Sequence, residues 1–324
     1  GDPRARGPAF LVLAAASLLA LAASVAGACD QPGDMLTFST FHMDKDAKKP
    51  GKQYHGMIQM LQKSIKQNHP CMKFVLDTDA LTQFPEFDGD SDVEIRRNAS
   101  WVDGKYLNRY RVEGQFSMLK EMQAGTRKAT DVFMVDSDIL VAKPVTSVFK
   151  RPAFDVAATY RKKGKQPVNV GVLMVARHAI PQGVAFWGEW LKKIGAGQWY
   201  DDQKGFMGMV STKFRASIMK AKGTMRQQLK LPGYDGMVKL ALMECVTWNA
   251  SPRSPQCPIR SGSRILHFKG NTKGMMKTHW GRISKGKVIG SRRRPRAKEA
   301  AEAAAAEGEA AVPVPAGGAT AAAS

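Results

Sequence analysis

The stretch Asp131–Leu140, DVFMVDSDIL, decides how this chain is read. Val132 to Val135 form an apolar run of strand character, and Asp136 and Asp138 then flank the small Ser137. Like charges two residues apart repel unless water screens them or a cation lies between them. A solvated turn meets the first condition and a divalent ion the second. A hard cation such as Mn²⁺ or Mg²⁺ takes oxygen ligands, often one or two carboxylates together with substrate phosphates. A second pair with the same spacing, Asp77-Thr78-Asp79, follows the apolar MKFVL of Met72–Leu76. The sequence beyond each pair separates them: Asp138 leads into ILVAKPVTSVF, whereas the reading after Asp79 is a turn.

Working outward, Asp34–Phe41 reads as a first strand, and Tyr54, Ile58, Leu61 and Ile65 mark one face of a helix. Met72–Leu76 reads as a second strand, the Asp- and Gly-rich 85–104 as a loop, and Tyr106–Met122 as a helix. Phe154–Thr159 and Val168–Ala176 read as strands, followed by a helix whose Phe186, Trp187, Trp190, Leu191 and Ile194 point to a core. A further helix is expected near Gly236–Cys245 and a short last strand at Arg264–Phe268. Strands alternating with helices predict an α/β fold with a mostly parallel sheet. In such sheets ligands gather at the carboxyl ends of strands, where Asp136 and Asp138 fall.

The 324 residues carry a formal net charge of +21, which suits an anionic partner. The excess is spread over short runs (KDAKKPGK, RKKGK, RRRPR) with no zinc-finger spacing, and no nucleic acid is expected. Phe10–Ala26 is apolar apart from two serines, follows Arg4 and Arg6, and ends in Ala26-Gly27-Ala28. Residues 1–29 therefore read as a signal peptide or signal anchor, with membrane anchorage in the second case. Secretory passage, to the Golgi or ER lumen, agrees with two acceptor triplets for N-glycosylation, at Asn98 and Asn249. Cys245 and Cys257 bracket a Pro- and Ser-rich loop and suit a disulfide in an oxidising lumen, while Cys71 either pairs with Cys29 or stays free. Residues 30–285 are left as the catalytic domain. Residues 286–324, basic and then Ala/Pro/Gly-rich, lack the apolar content to build a core and read as disordered.

DVFMVDSDILVAKPVTSVF resembles the DxD region of the GT-A nucleotide-sugar glycosyltransferases. Three later segments fit in order. Asn169-Val170-Gly171-Val172-Leu173 resembles a strand lining the sugar pocket, and Asp201-Asp202-Gln203 resembles an acceptor-side loop. His267-Phe268-Lys269-Gly270-Asn271-Thr272-Lys273 resembles the H-x-x-G-x-x-K motif of glycosyltransferase family 8. This sequence departs from the family's pattern in two places: Gly274-Met275 stands where Pro-Trp is usual, and Lys204 stands where a third carboxylate is usual.

The resemblance implies a GT-A, Rossmann-like catalytic domain with a mixed, mostly parallel sheet flanked by helices. It also implies a metal-dependent transferase moving a hexose or pentose from a nucleotide-diphosphate sugar, UDP-linked first, to a glycan or protein acceptor. Asp136, Asp138 and His267 would hold Mn²⁺ or Mg²⁺. Gly270 would let backbone approach a diphosphate, with Lys273, and Lys269 less directly, neutralising it. Ser39, Thr40, Arg109 and Arg111 would meet the nucleotide, while Asp136, Asn169 and Gly171 would meet the sugar. Asp202 and Gln203 would act at the reacting centre. A nucleotidyltransferase would need a Gly-rich phosphate loop after the first strand, and residues 38–51 provide none. The remaining alternatives are an inactive GT-A domain and a basic module that binds anionic glycans or nucleic acid.

Overall fold

The computed structural model describes residues 36–44, 52–150, 153–162, 167–195 and 201–287. The leader, Cys29 and the tail from residue 288 lie outside them. The strands are β1 (Leu36–Phe41), β2 (Lys73–Asp79), β3 (Val93–Asn98), β4 (Asp131–Val135), β5 (Ile139–Val141), β6 (Val156–Tyr160), β7 (Val168–Val175), β8 (Met225–Lys230), β9 (Met237–Glu244) and β10 (Ile265–His267). The helices are α1 (Lys52–Asn68), α2 (Leu107–Gln123), α3 (Ile180–Lys193), α4 (Asp201–Met209), α5 (Thr212–Ile218), α6 (Cys245–Trp248) and α7 (Met276–Ile283).

Eight strands form one sheet in the order β3-β2-β1-β4-β7-β6-β9-β8, and β5 pairs with β10 in a small second sheet. The β1–β2, β2–β3, β1–β4 and β6–β9 pairs are parallel, whereas β4–β7, β6–β7 and β8–β9 are antiparallel. This is the mixed, mostly parallel sheet flanked by helices that the resemblance implies. Successive strand residues supply opposite faces. Phe133 and Val135 join the core that α1 covers with Met57, Ile58, Leu61 and Ile65. Val132 and Met134 join the core that α2 and α3 cover with Val112, Leu119, Phe186, Trp187 and Trp190. The central strands are buried on both sides, which is why β4, β6 and β7 read as mostly apolar runs.

Three expectations are corrected. Residues 85–104 do not form a loop throughout, because Val93–Asn98 pairs in parallel with β2 as an edge strand. Its Glu94, Arg96 and Arg97 give it a polar composition suited to a sheet edge. The segment near Gly236–Cys245 is a strand, not a helix. Val238, Leu240 and Leu242 are buried on alternate positions, and pairing with β6 and β8 overrides the helix preference of its Leu, Ala and Met. β2 also runs on past the expected end at Leu76 to Asp79, because β3 pairs with it as far as Asn98.

That continuation removes Asp77-Thr78-Asp79 from any exposed turn. Asp79 accepts from the Thr82 N–H at 3.1 Å, and Asp77, 1% exposed, lies 3.3 Å from Arg96. Burial pushes the Asp77 carboxyl up to about 7, against the pull of Arg96. A carboxyl raised on folding binds more protons in the native state than in the unfolded one. The stability it contributes is therefore complete below the unfolded value near 3.8 and is lost as pH rises through about 7. Urea unfolding is expected to show a stability loss on the order of 2 kcal/mol between about pH 5 and about pH 8, and Asp77→Asn should remove most of that slope. An unchanged slope in Asp77→Asn would assign it to other groups.

The Cys245–Cys257 disulfide is present. No cysteine is free among the described residues. No helix among them is long and apolar enough to cross a membrane.

Candidate functional site

β1 is flanked by β2 on one side and β4 on the other, which opens a crevice at their carboxyl ends. A cavity of about 810 Å³ lies there. Its wall combines Phe41, His42, Met43 and Asp44 after β1, the Asp136-Ser137-Asp138 turn after β4, and His267, Lys269, Gly270 and Lys273 after β10.

Asp136, Asp138 and His267 meet because two sheets share the turn between β4 and β5. The Asp136 N–H donates to the Gly171 carbonyl of β7 at 3.0 Å. Beyond Asp138, β5 pairs antiparallel with β10, Ile139 opposite His267, and the Phe268 N–H donates to the Asp138 carbonyl at 2.9 Å. One ligand atom from each of the three side chains lies within 4.8 Å of the others. His267 Nε2 is 2.9 Å from Asp138 Oδ1 and 3.4 Å from Asp136 Oδ2. Gly171 is required by this crowding. A Cβ there would stand 2.4 Å from Asp136 Oδ2 and 2.5 Å from His267 Cε1.

A chain of hydrogen bonds fixes which nitrogen of His267 faces the carboxylates. Thr159 Oγ1 donates its one proton to the Asn169 carbonyl at 3.0 Å. It must therefore accept from Asn249 Nδ2 at 2.7 Å, which turns Asn249 Oδ1 toward His267 Nδ1 at 2.8 Å. An amide oxygen only accepts, so Nδ1 carries a proton, and the neutral ring keeps its lone pair on Nε2. That lone pair faces two carboxylates, an arrangement that suits a metal cation between them. Two carboxylates and one imidazole fit Mn²⁺ or Mg²⁺.

Asn249 is thus a supporting residue that sequence reading took for a glycosylation acceptor. Its side chain is buried, which shields the amide nitrogen from a glycan in the folded chain. Asn98 is half-buried, with its Oδ1 accepting from Ser100.

Cations surround the acidic cluster. Lys273 Nζ lies 3.5 Å from Asp138 Oδ2 and bonds the Tyr54 hydroxyl. Burial pushes the Asp138 carboxyl up, but His267, Lys273 and Lys269 together hold it below the usual carboxylate range. Lys269 is pulled down to about 8 by burial, against the attraction of Asp136 and Asp138. Gly270 adopts φ +52, a left-handed conformation that favours glycine. Arg111 is buried and reaches two carboxylates at once, Asp136 through one terminal nitrogen and Asp202 through the other. Burial lifts the Asp202 carboxyl above its usual range, outweighing a guanidinium that it shares with Asp136. Gln203 also lines the cavity, and its Oε1 is buried without a hydrogen-bond partner.

Other expected site residues do not line this cavity. Ser39 and Thr40 are fully buried inside β1, Ser39 between β2 and β4 and Thr40 beside β2, and do not line the cavity; the residues that do so follow them, from Phe41 to Asp44. Arg109 is also absent from the wall and pairs with Glu113 on its own helix at 2.8 Å. Asn169 lines a smaller neighbouring cavity of about 270 Å³, and its Oδ1 accepts from the Gly171 N–H at 2.9 Å. Lys204 pairs with Asp201 at 3.6 Å and lies outside the wall.

Among solved structures the chain is similar to a glycosyltransferase involved in the glycosylation of the major capsid of PBCV-1. The TM-score is 0.46 at 14% identity, over 76% of this chain and 99% of that one. It is also similar to the galactosyltransferase LgtC in complex with donor and acceptor sugar analogues, with a TM-score of 0.41 at 11% identity, over 78% of this chain and 96% of that one. An active-site mutant of LgtC gives 0.42 at 11%, over 80% and 98%. No protein-family model and no curated protein sequence matches the chain.

Proposed function

We propose that the chain is a metal-dependent glycosyltransferase of the secretory pathway that takes a hexose or pentose from a nucleotide-diphosphate sugar, a UDP-sugar first. The acceptor in this reading is a glycan or a protein. One observation carries it above the others: a buried histidine, oriented by Asn249, turns Nε2 toward Asp138 and Asp136 at the mouth of a ligand-sized cavity.

Asp136, Asp138 and His267 would hold the ion. When bound, a divalent ion supplies Lewis acidity, stabilising negative charge on a departing diphosphate. The chain's own residues supply the rest. Lys273 and Lys269 bring positive charge to the side of the cavity where the diphosphate would sit, and the Gly270 backbone can approach it without a side chain intervening. Arg111 holds Asp136 and Asp202 in fixed relation, so the cluster and the sugar-facing wall form one rigid unit. Gln203 Oε1 offers an unused acceptor for a sugar hydroxyl. The high positive charge suits a dianionic donor and does not by itself call for nucleic acid.

Two experiments follow. Release of the nucleotide (UDP, GDP or CMP) from UDP-, GDP- and CMP-sugars with Mn²⁺, Mg²⁺ or EDTA should select one donor family and require the metal. No release from any of them, with water or a glycan panel as acceptor, would favour the inactive domain or the basic binding module. Asn249→Ala frees the His267 ring and is expected to weaken Mn²⁺ binding about tenfold to a hundredfold, read by calorimetric titration. Unchanged affinity would show that the amide does not orient the ligand.

A further inference from the structure

A second cluster of metal-ligating groups stands at the same cavity, on different elements. His42 and Asp44 follow β1 and line the cavity wall, and His55 comes from the first turns of α1. His42 Nε2 lies 3.1 Å from Asp44 Oδ1, and His55 Nε2 lies 3.0 Å from Asp44 Oδ2. One ligand atom from each lies within 4.8 Å of the others. We propose that His42, Asp44 and His55 form a second divalent-metal site, built of two imidazoles and one carboxylate, which takes Zn²⁺ in preference to Mn²⁺.

Three features support a site over a chance contact. Both histidines present Nε2 to the same carboxylate, the convergence a shared ion needs. The far nitrogen of His55, Nδ1, faces Glu86 Oε1 at 3.2 Å, and Glu86 Oε1 has no other hydrogen-bond partner. A carboxylate behind the outer ring nitrogen of a ligating histidine fixes its tautomer and raises its basicity. The rings are also held in place by packing. His55 stacks on Phe84 at 4.8 Å between centroids, and His42 stacks on Tyr54 at 5.2 Å. The Asp44 backbone is anchored too, its N–H donating to Thr82 Oγ1 at 2.9 Å.

The donor sets separate the two sites. Asp136, Asp138 and His267 supply more oxygen than nitrogen, which suits Mn²⁺ or Mg²⁺. His42, Asp44 and His55 supply more nitrogen, which suits Zn²⁺, and the general affinity order of nitrogen and oxygen sites places Zn²⁺ above Mn²⁺. The clusters are linked through Tyr54, which stacks on His42 and hydrogen-bonds Lys273, itself beside Asp138. An ion on His42 would thereby steady the lysine assigned to the diphosphate.

The test is zinc stoichiometry by equilibrium dialysis and elemental analysis on the full chain, in the Asp138→Ala background so that the first cluster is disabled. That protein should keep one Zn²⁺ per chain. His55→Ala in the same background should lose it, and Glu86→Gln, which keeps the shape, should weaken it about tenfold to a hundredfold. Co²⁺ added to the Asp138→Ala chain should show ligand-field absorption that Zn²⁺ removes, a readout that does not depend on the His55 variant folding. Absence of bound zinc and of the Co²⁺ bands in Asp138→Ala would overturn the proposal and leave a hydrogen-bonded network. So would zinc retained undiminished in both His55→Ala and Glu86→Gln. Neither result bears on donor transfer, which is measured separately.

Discussion

Asp138→Asn is expected to lower the rate of nucleoside diphosphate release from the donor by about a thousandfold or more. Asp138 has two partners in the cluster, with His267 Nε2 at 2.9 Å and Lys273 at 3.5 Å. Replacing its carboxylate with an amide removes a charge from the ion's proposed site and halves its carboxylate ligands. A bound metal contributes several kcal/mol of charge stabilisation in the transition state, and ~4 kcal/mol corresponds to a factor of roughly a thousand. The measurement is steady-state turnover at saturating donor and Mn²⁺, with circular dichroism as the folding control. A folded Asp138→Asn protein with turnover within about tenfold of the parent would remove Asp138 from the reacting centre.

Arg111→Met should be the most destabilising substitution in the cavity wall. Arg111 is buried and joins Asp136 to Asp202, so its loss leaves two carboxylates facing each other with no guanidinium between them. Removing one partner from a buried ion pair costs about 3–5 kcal/mol, mostly from the charge left behind. Asp202→Asn added to Arg111→Met should recover part of that loss, because Asp202 is the more deeply buried of the two carboxylates. Arg111→Lys should not substitute, since a single ammonium cannot fork to both. Urea unfolding of the four proteins measures this. Loss below about 0.5 kcal/mol in Arg111→Met would place the pairs among ordinary surface contacts.

The parts of the fold that were legible in the sequence are those buried on both sides or on one stripe. Asp131–Val135 was readable as a strand because both of its faces meet apolar layers. The α1 face from Tyr54 to Ile65 was readable because its apolar spacing follows one side of a helix. What the sequence hid depends on neighbours far along the chain. β3 has a polar composition and becomes a strand through pairing with β2. β9 carries helix-favouring residues and becomes a strand through β6 and β8.

The site divides in the same way. The convergence of Asp136, Asp138 and His267 was readable because each sits in a local motif, and the short β5–β10 pairing that joins them lies close to those motifs. Arg111 was named together with Arg109 for the nucleotide, but its pairing with Asp136 and Asp202 was hidden, since these partners lie 25 and 91 residues away. Asn249 was hidden by a triplet with a commoner meaning. Ser39 and Thr40 were placed too early on β1, because both are buried within the sheet and the cavity wall begins only at Phe41. The His42-Met43-Asp44 step after that strand was a visible signal, but its partner His55 comes from a helix and completes no sequence motif.

The central claim is a donor site that forms only with a metal ion. The measurement that tests it most directly is the thermal stability of the full chain with UDP-, GDP- and CMP-sugars, each with Mn²⁺ or with EDTA. A ligand that binds only the native state stabilises by about 2.7 kcal/mol at a concentration a hundred times its dissociation constant. The predicted result is a rise in melting temperature that needs one nucleotide family together with Mn²⁺ and disappears in Asp138→Ala. A rise that persists in EDTA and in Asp138→Ala, or no rise with any pair, would contradict it.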